Sequence, residues 1–157
     1  MFCGALQLVP ALRSRVPRFH HWNGRGYLLT AVVAALSGLW MTWARSDIGG
    51  LLQDLGVTVN ALLIVLSAAL VLRHAMARRL AAHRRWALRL FMLVSGVWFF
   101  RVGLMFWIAV NGGPVGFDPV VFRGPALDLF AFLQYLLLLA LLQADFMAQA
   151  RANPALR

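Results

Sequence analysis

Polar and apolar positions in this chain fall into blocks. Four long apolar runs cover about Tyr27–Ala44, Leu51–Leu72, Trp86–Val110 and Ala126–Met147. A helix needs about 20 predominantly apolar residues to cross a bilayer, and these runs are near or above that length. They are apolar on most faces, as expected of helices exposed to lipid, and far too long for barrel strands. The pattern predicts an all-α integral membrane four-helix bundle in a single transmembrane domain. Met1–Leu12 is also apolar but too short to span. It is expected to lie in the interface or to be the remnant of a helix.

The connecting segments are read as loops. RSRVPRFHHWNGR, from Arg13 to Arg25, carries Pro17 and Gly24, which argue against one continuous helix there. Arg73–Arg85 is the most basic connection, and Asn111–Pro125 is rich in Gly and Pro. Small residues recur at four-residue spacing in the first run, as Ala31/Ala35 and Ala34/Gly38. Such spacing lets helix backbones approach closely in lipid. Trp40 and Trp43 end that run, where an aromatic belt would sit.

Composition agrees and adds an orientation. Of 157 residues, 62% are hydrophobic and 13% charged, against about 25% charged in soluble domains. All 15 basic side chains are arginines, and the five acids are aspartates. The net charge of +10 does not mark a nucleic-acid binder, because the arginines flank apolar runs and form no soluble basic face. Twelve arginines fall on one side of a four-crossing arrangement and two on the other. The positive-inside rule then gives N-in/C-in in a bacterial inner (cytoplasmic) membrane. Arg25, Arg84, Arg85, Trp86 and Arg89 are placed to meet lipid headgroups. The single cysteine, Cys3, excludes an internal disulfide and a CxxC redox pair. No signal peptide is evident.

Two polar groupings carry whatever chemistry the chain has. His20, His21, His74 and His83 share the arginine-rich side, with Asp145 at the same level. The plain reading is an interfacial collar. The sharper one is axial ligation of a b-type haem, with a His/Asp metal site, a proton relay or a pH sensor behind it. The spacing matches no zinc signature, so any metal is unknown. The second grouping is deeper. Ser37, Asn60, Arg101 and Gln134 each lie roughly 11–14 Å below the other surface, at 1.5 Å per residue. Arg101 interrupts the third run, where a charge is costly by about 2.5–3.5 kcal/mol, so it is expected to face the interior. Asp128 is its nearest counter-ion candidate. The plain reading is helix packing. The functional one is a cavity for an anionic or quinone-like headgroup or a haem propionate.

Two motifs stand out together: LVPALRSRVPRFHHWNGRGY, from Leu8 to Tyr27, and HRRWALR from His83, with a further arginine at Arg101. They resemble a bacterial family known only as predicted membrane proteins, a domain of unknown function. Its members carry His-Arg-x-x-Gly-Arg-x-Tyr before one helix and His-Arg-x-Trp-Met-x-Arg, then another Arg, on a later one. The resemblance runs from about Gly4 to Leu104. It maps onto His20 or His21 (His20 keeps the family spacing, with His21 in place of the arginine; His21 needs it shortened by one), Gly24, Arg25 and Tyr27, then His83, Arg84, Trp86, Arg89 and Arg101. Ala87 stands for the methionine, and the last helix lacks the Trp-rich ending of the family. The resemblance implies kinship and a membrane location, not a chemistry.

The resulting expectation is a membrane protein that binds haem or a quinone- or lipid-like ligand within its bundle, as a redox accessory. The alternative is a structural or assembly subunit without a cofactor. A transporter or enzyme is the third class: against transport, there are no obvious inverted repeats or broken helices, and against hydrolysis, no nucleophile, base and acid fall on one side at one depth. Membrane lipids, other membrane subunits or further copies of the chain are the expected partners, and nucleic acid is not.

Overall fold

A computed structural model of the chain describes residues 17–44 and 50–152. They form four long α-helices: α1 (Pro17–Ala44), α2 (Leu51–Met76), α3 (Leu80–Asn111) and α4 (Pro125–Ala152). All four are long and apolar enough to cross a membrane. The Met1–Leu12 segment lies outside the described residues.

The helices are longer than the apolar runs. α1 begins at Pro17 and passes through Gly24, so the expected basic loop is helical over 17–25. Proline is tolerated in a first helical turn, where its missing N–H would be unpaired anyway. A single interior glycine costs about 1 kcal/mol, which a 28-residue helix absorbs. The expected loop at Arg73–Arg85 shrinks to a turn of three residues between Met76 and Leu80. Arginine is a good helix former, and Arg73 and His74 suit the negative end of the α2 dipole.

Contacts near their ends show that successive helices are antiparallel. Trp43 Nε1 donates to Thr58 Oγ1 at 3.1 Å, tying the end of α1 to the start of α2. His83 Nδ1 bonds the Val71 carbonyl at 3.0 Å across the next turn. The start of α1, the α2–α3 turn and the end of α4 therefore share one end of the bundle, the arginine-rich end. α2 is central: it packs against each of the other three helices. In its most apolar stretch 39% of residues are buried, against 11% for α1.

The core is a thin seam of Ala31, Ala35, Ala61, Ile64, Ala68, Val71, Leu90, Leu93 and Tyr135. Ala31 and Ala35 thus face the bundle as their spacing suggests, while Ala34 is exposed and Gly38 has open space around it. Small residues set the helix spacing elsewhere too. A Cβ on Gly56 would stand 3.0 Å from Ala131 Cβ, so α2 and α4 nearly touch backbones. Gly96 of α3 lies against the Gln134 carbonyl and Tyr135 Cβ of α4. Hydroxyls that could disturb lipid bond their own helices. Thr30, Ser37, Thr42 and Thr58 each donate to the carbonyl four residues back.

At the other end, α3 stops at Gly112, whose φ of +67° gives a left-handed cap. The loop to α4 is folded on itself. Asp118 and Arg123 form an antiparallel bridge, and Phe117 meets Phe122 edge to face. Gly124 closes it at φ +155°, where a side chain would run into the Gly116 carbonyl and Phe117. Trp107 Nε1 donates to the Val115 carbonyl at 2.8 Å, fastening the loop to α3.

Candidate functional site

On the arginine-rich half of the bundle, α2, α3 and α4 leave a cleft of about 430 Å³. Its walls are apolar: Leu63 from α2, Leu93 from α3, Leu136 and Leu139 from α4. Its polar groups gather towards one end, as Ser67, Arg89 and Gln143, beside Trp86. Trp86 and Arg89 share a face because they are one turn apart on α3. The Arg89 guanidinium lies 4.7 Å from the Trp86 ring centre and 5.5 Å from that of Phe146. Its Nη2 donates to Gln143 Oε1 at 2.8 Å. The guanidinium lies beside both rings, and with one N–H given to Gln143 most of its five donors remain for an anion.

The deep layer does not close around Arg101. Arg101 lies on an exposed face of α3 and has no hydrogen-bond or ion-pair partner among the described residues. The expectation that it faces the interior is corrected: the inward positions of α3 are Leu90, Leu93, Ser95 and Gly96, and Arg101 falls off that stripe. Ser37 is exposed and bonded to Val33 of its own helix. Gln134 donates to the Ala131 carbonyl at 2.9 Å and lines a smaller cleft of about 180 Å³ with Phe99, Phe100 and Phe130. Asp128 sits against the start of α2, its Oδ1 3.6 Å from where a Gly50 Cβ would be. A carboxylate suits that positive helix end. Of the expected layer, only Asn60 is fully buried.

The histidines divide as well. The His20 side chain lies outside the described ones. His21 is exposed, and His74 and His83 are half-buried on either side of the α2–α3 turn. A carbonyl can only accept, so His83 Nδ1 carries the proton that reaches Val71. In the neutral ring this leaves Nε2 with its lone pair free. Asp145 accepts from Gln149 of its own helix. Among the described residues no group of three His, Cys, Asp or Glu is placed to hold a metal. Arg25, Arg84 and Arg85 are exposed, as a headgroup collar requires, with Arg25 6.0 Å from the Trp22 ring centre.

Residues not singled out in the sequence complete the picture: Ser67, Gln143 and Phe146 at the cleft, Ser95 and Tyr135 in the core. One signal for Ser67 was present. Gln53, Asn60, Ser67 and His74 recur every seven residues along α2. That spacing puts them on one face.

The fold and its lipid-ready surface define a polytopic helical membrane protein. The profile of the family described as "Predicted membrane protein (DUF2306)" matches residues 1–146, and the chain belongs to that family. No curated protein and no solved structure matches it.

Proposed function

We propose that this protein is a ligand-holding component of a bacterial inner membrane, and that the Arg89 cleft takes an amphiphile of quinone or lipid type. The observation behind this is the pairing of one oriented guanidinium with an apolar groove of about 430 Å³. Pockets of a few hundred Å³ with few convergent polar groups are typical of small-molecule sites. An acidic or strongly accepting head would bond Arg89, and the tail would lie along Leu63, Leu93, Leu136 and Leu139. The arginine count supports N-in/C-in, which sets the cleft in the cytoplasmic half of the bilayer.

The test is quenching of Trp86 fluorescence, in reconstituted protein whose other five tryptophans are replaced by phenylalanine, by brominated anionic lipid, and separately by a short-chain quinone. Arg89→Ala should weaken the effective ligand at least tenfold. Equal quenching of Arg89→Ala and wild type by both probes refutes the reading and leaves a structural or assembly role.

The hydrogen bond from His83 Nδ1 to Val71 favours a second reading. Ligating histidines characteristically give their other ring N–H to a carbonyl, as this one does. A b-type haem on His83 would show a Soret band in protein expressed with haem available, and His83→Ala would remove it. A flat visible spectrum retires this reading.

A further inference from the structure

The close contact of Gly56 with Ala131 fixes the register of the parallel pair α2 and α4. Four residues further along both helices, one turn deeper in each, come Asn60 and Tyr135. Asn60 is 6% exposed and Tyr135 0%. α3 adds a third polar group at this level: Ser95 is 5% exposed and adjoins Gly96, which packs on Tyr135. Three helices therefore each place one buried polar side chain in one layer of the core.

Two atoms of this layer are unpaired. Neither Asn60 Oδ1 nor the Tyr135 hydroxyl has a hydrogen-bond partner among the described residues. Both are sealed inside the bundle, out of reach of bulk water, and the hydrocarbon around it offers neither donor nor acceptor. Each unmade bond leaves the full desolvation cost of its group uncompensated. Phenylalanine and leucine would fill the same space without that cost, so packing does not account for the two polar groups.

We propose that Asn60, Ser95 and Tyr135 form an internal water site. One water donates to Asn60 Oδ1 and accepts from the Tyr135 hydroxyl, which discharges both unpaired atoms at once. Two to four polar partners are what a buried water needs. The site lies one turn or less from Leu63, Leu93 and Leu136, residues that wall the cleft. It thus provides hydrogen bonding next to the apolar part of the cleft, at the opposite end from Arg89. It stands independently of which ligand the cleft takes.

Radiolytic hydroxyl labelling of the detergent-purified chain tests it. Radicals formed from a bound water mark side chains that touch it, even when those side chains are sealed from solvent. Tyr135 should carry added oxygen at a rate comparable to exposed Trp22 and Trp40, while the equally buried Leu90 does not. Asn60→Leu should cut the Tyr135 rate at least fivefold, with the circular-dichroism spectrum unchanged; Asn60→Met serves where the leucine variant fails to fold. A wild-type Tyr135 as unreactive as Leu90 overturns the proposal without any variant, and so does full labelling of Tyr135 in a folded Asn60 variant.

Discussion

Gly56 gives the most direct handle on how this bundle is held together. A methyl group there meets Ala131 Cβ at 3.0 Å and the Ala131 carbonyl carbon and oxygen at 3.3 Å. Ordinary contact begins near 3.4 Å, so α2 and α4 must part by about 0.4 Å, the difference 3.4 − 3.0. The obstacle is backbone and a Cβ, neither of which can rotate aside. Overpacking of this kind costs about 1–3 kcal/mol. Replacing glycine by alanine in a helix returns about 1 kcal/mol. Gly56→Ala should therefore lie between neutral and about 2 kcal/mol destabilising. Gly56→Leu, which wedges the seam by more than an ångström, should cost about 3 kcal/mol or more, because gaps of 0.5–1 Å already forfeit a quarter to a half of each dispersion contact. Gly38→Ala is the control: nothing stands within 4 Å of its Cβ, so it shows the backbone gain alone. Ala131→Gly should partly rescue Gly56→Ala by removing the Cβ clash while the carbonyl contacts stay. The assay is unfolding of the detergent-solubilised protein in SDS, followed by tryptophan fluorescence. If Gly56→Leu unfolds at the same SDS fraction as Gly38→Ala, the close α2–α4 approach is not a stabilising contact and the register argument built on it fails.

Arg101→Met should leave the unfolding midpoint unchanged or raise it slightly, since the side chain is exposed and unpartnered among the described residues; a loss above about 2 kcal/mol would place it in a buried ion pair instead. Trp43→Phe should cost about 0.5–1.5 kcal/mol through loss of the bond to Thr58, read in the same SDS titration against Trp40→Phe, which loses no such bond. Gly124→Ala, at φ +155° and blocked by Gly116 and Phe117, should loosen the α3–α4 loop, seen as faster proteolysis within residues 112–124 with the helical content retained.

How far the sequence reached differs between the helices and the site. Four long apolar helices and the Ala31/Ala35 face of α1 were legible, because each depends on local pattern, whereas Ala34 and Gly38 share that spacing and do not pack. The helix ends were not. Pro17 and Gly24 read as breakers, yet neither disrupts a helix when one lies in its first turn and the other costs only about 1 kcal/mol. The site was half legible. Arg89 was marked only as a headgroup contact, and its partners Gln143 and Phe146 lie on a helix more than fifty residues away in the chain. Asn60 was marked correctly as buried, but its layer was assigned by depth to Ser37, Arg101 and Gln134. Depth along a helix can be counted from sequence, whereas the direction a side chain faces cannot when every face is apolar.

Composition and run length alone therefore determined that this is a multi-pass helical membrane protein, with four helices among the described residues long and apolar enough to cross. Lipid leaves the backbone no other way to satisfy its hydrogen bonds over such lengths. Which residues meet was decided only in the tertiary structure. In a soluble helix the polar face points away from the core and reveals it. Here the outer surface is as apolar as the interior, so that signal vanishes. What chooses the inner face is the fit of Gly56 on Ala131 and of Gly96 on Tyr135, contacts a few tenths of an ångström deep that no single helix contains.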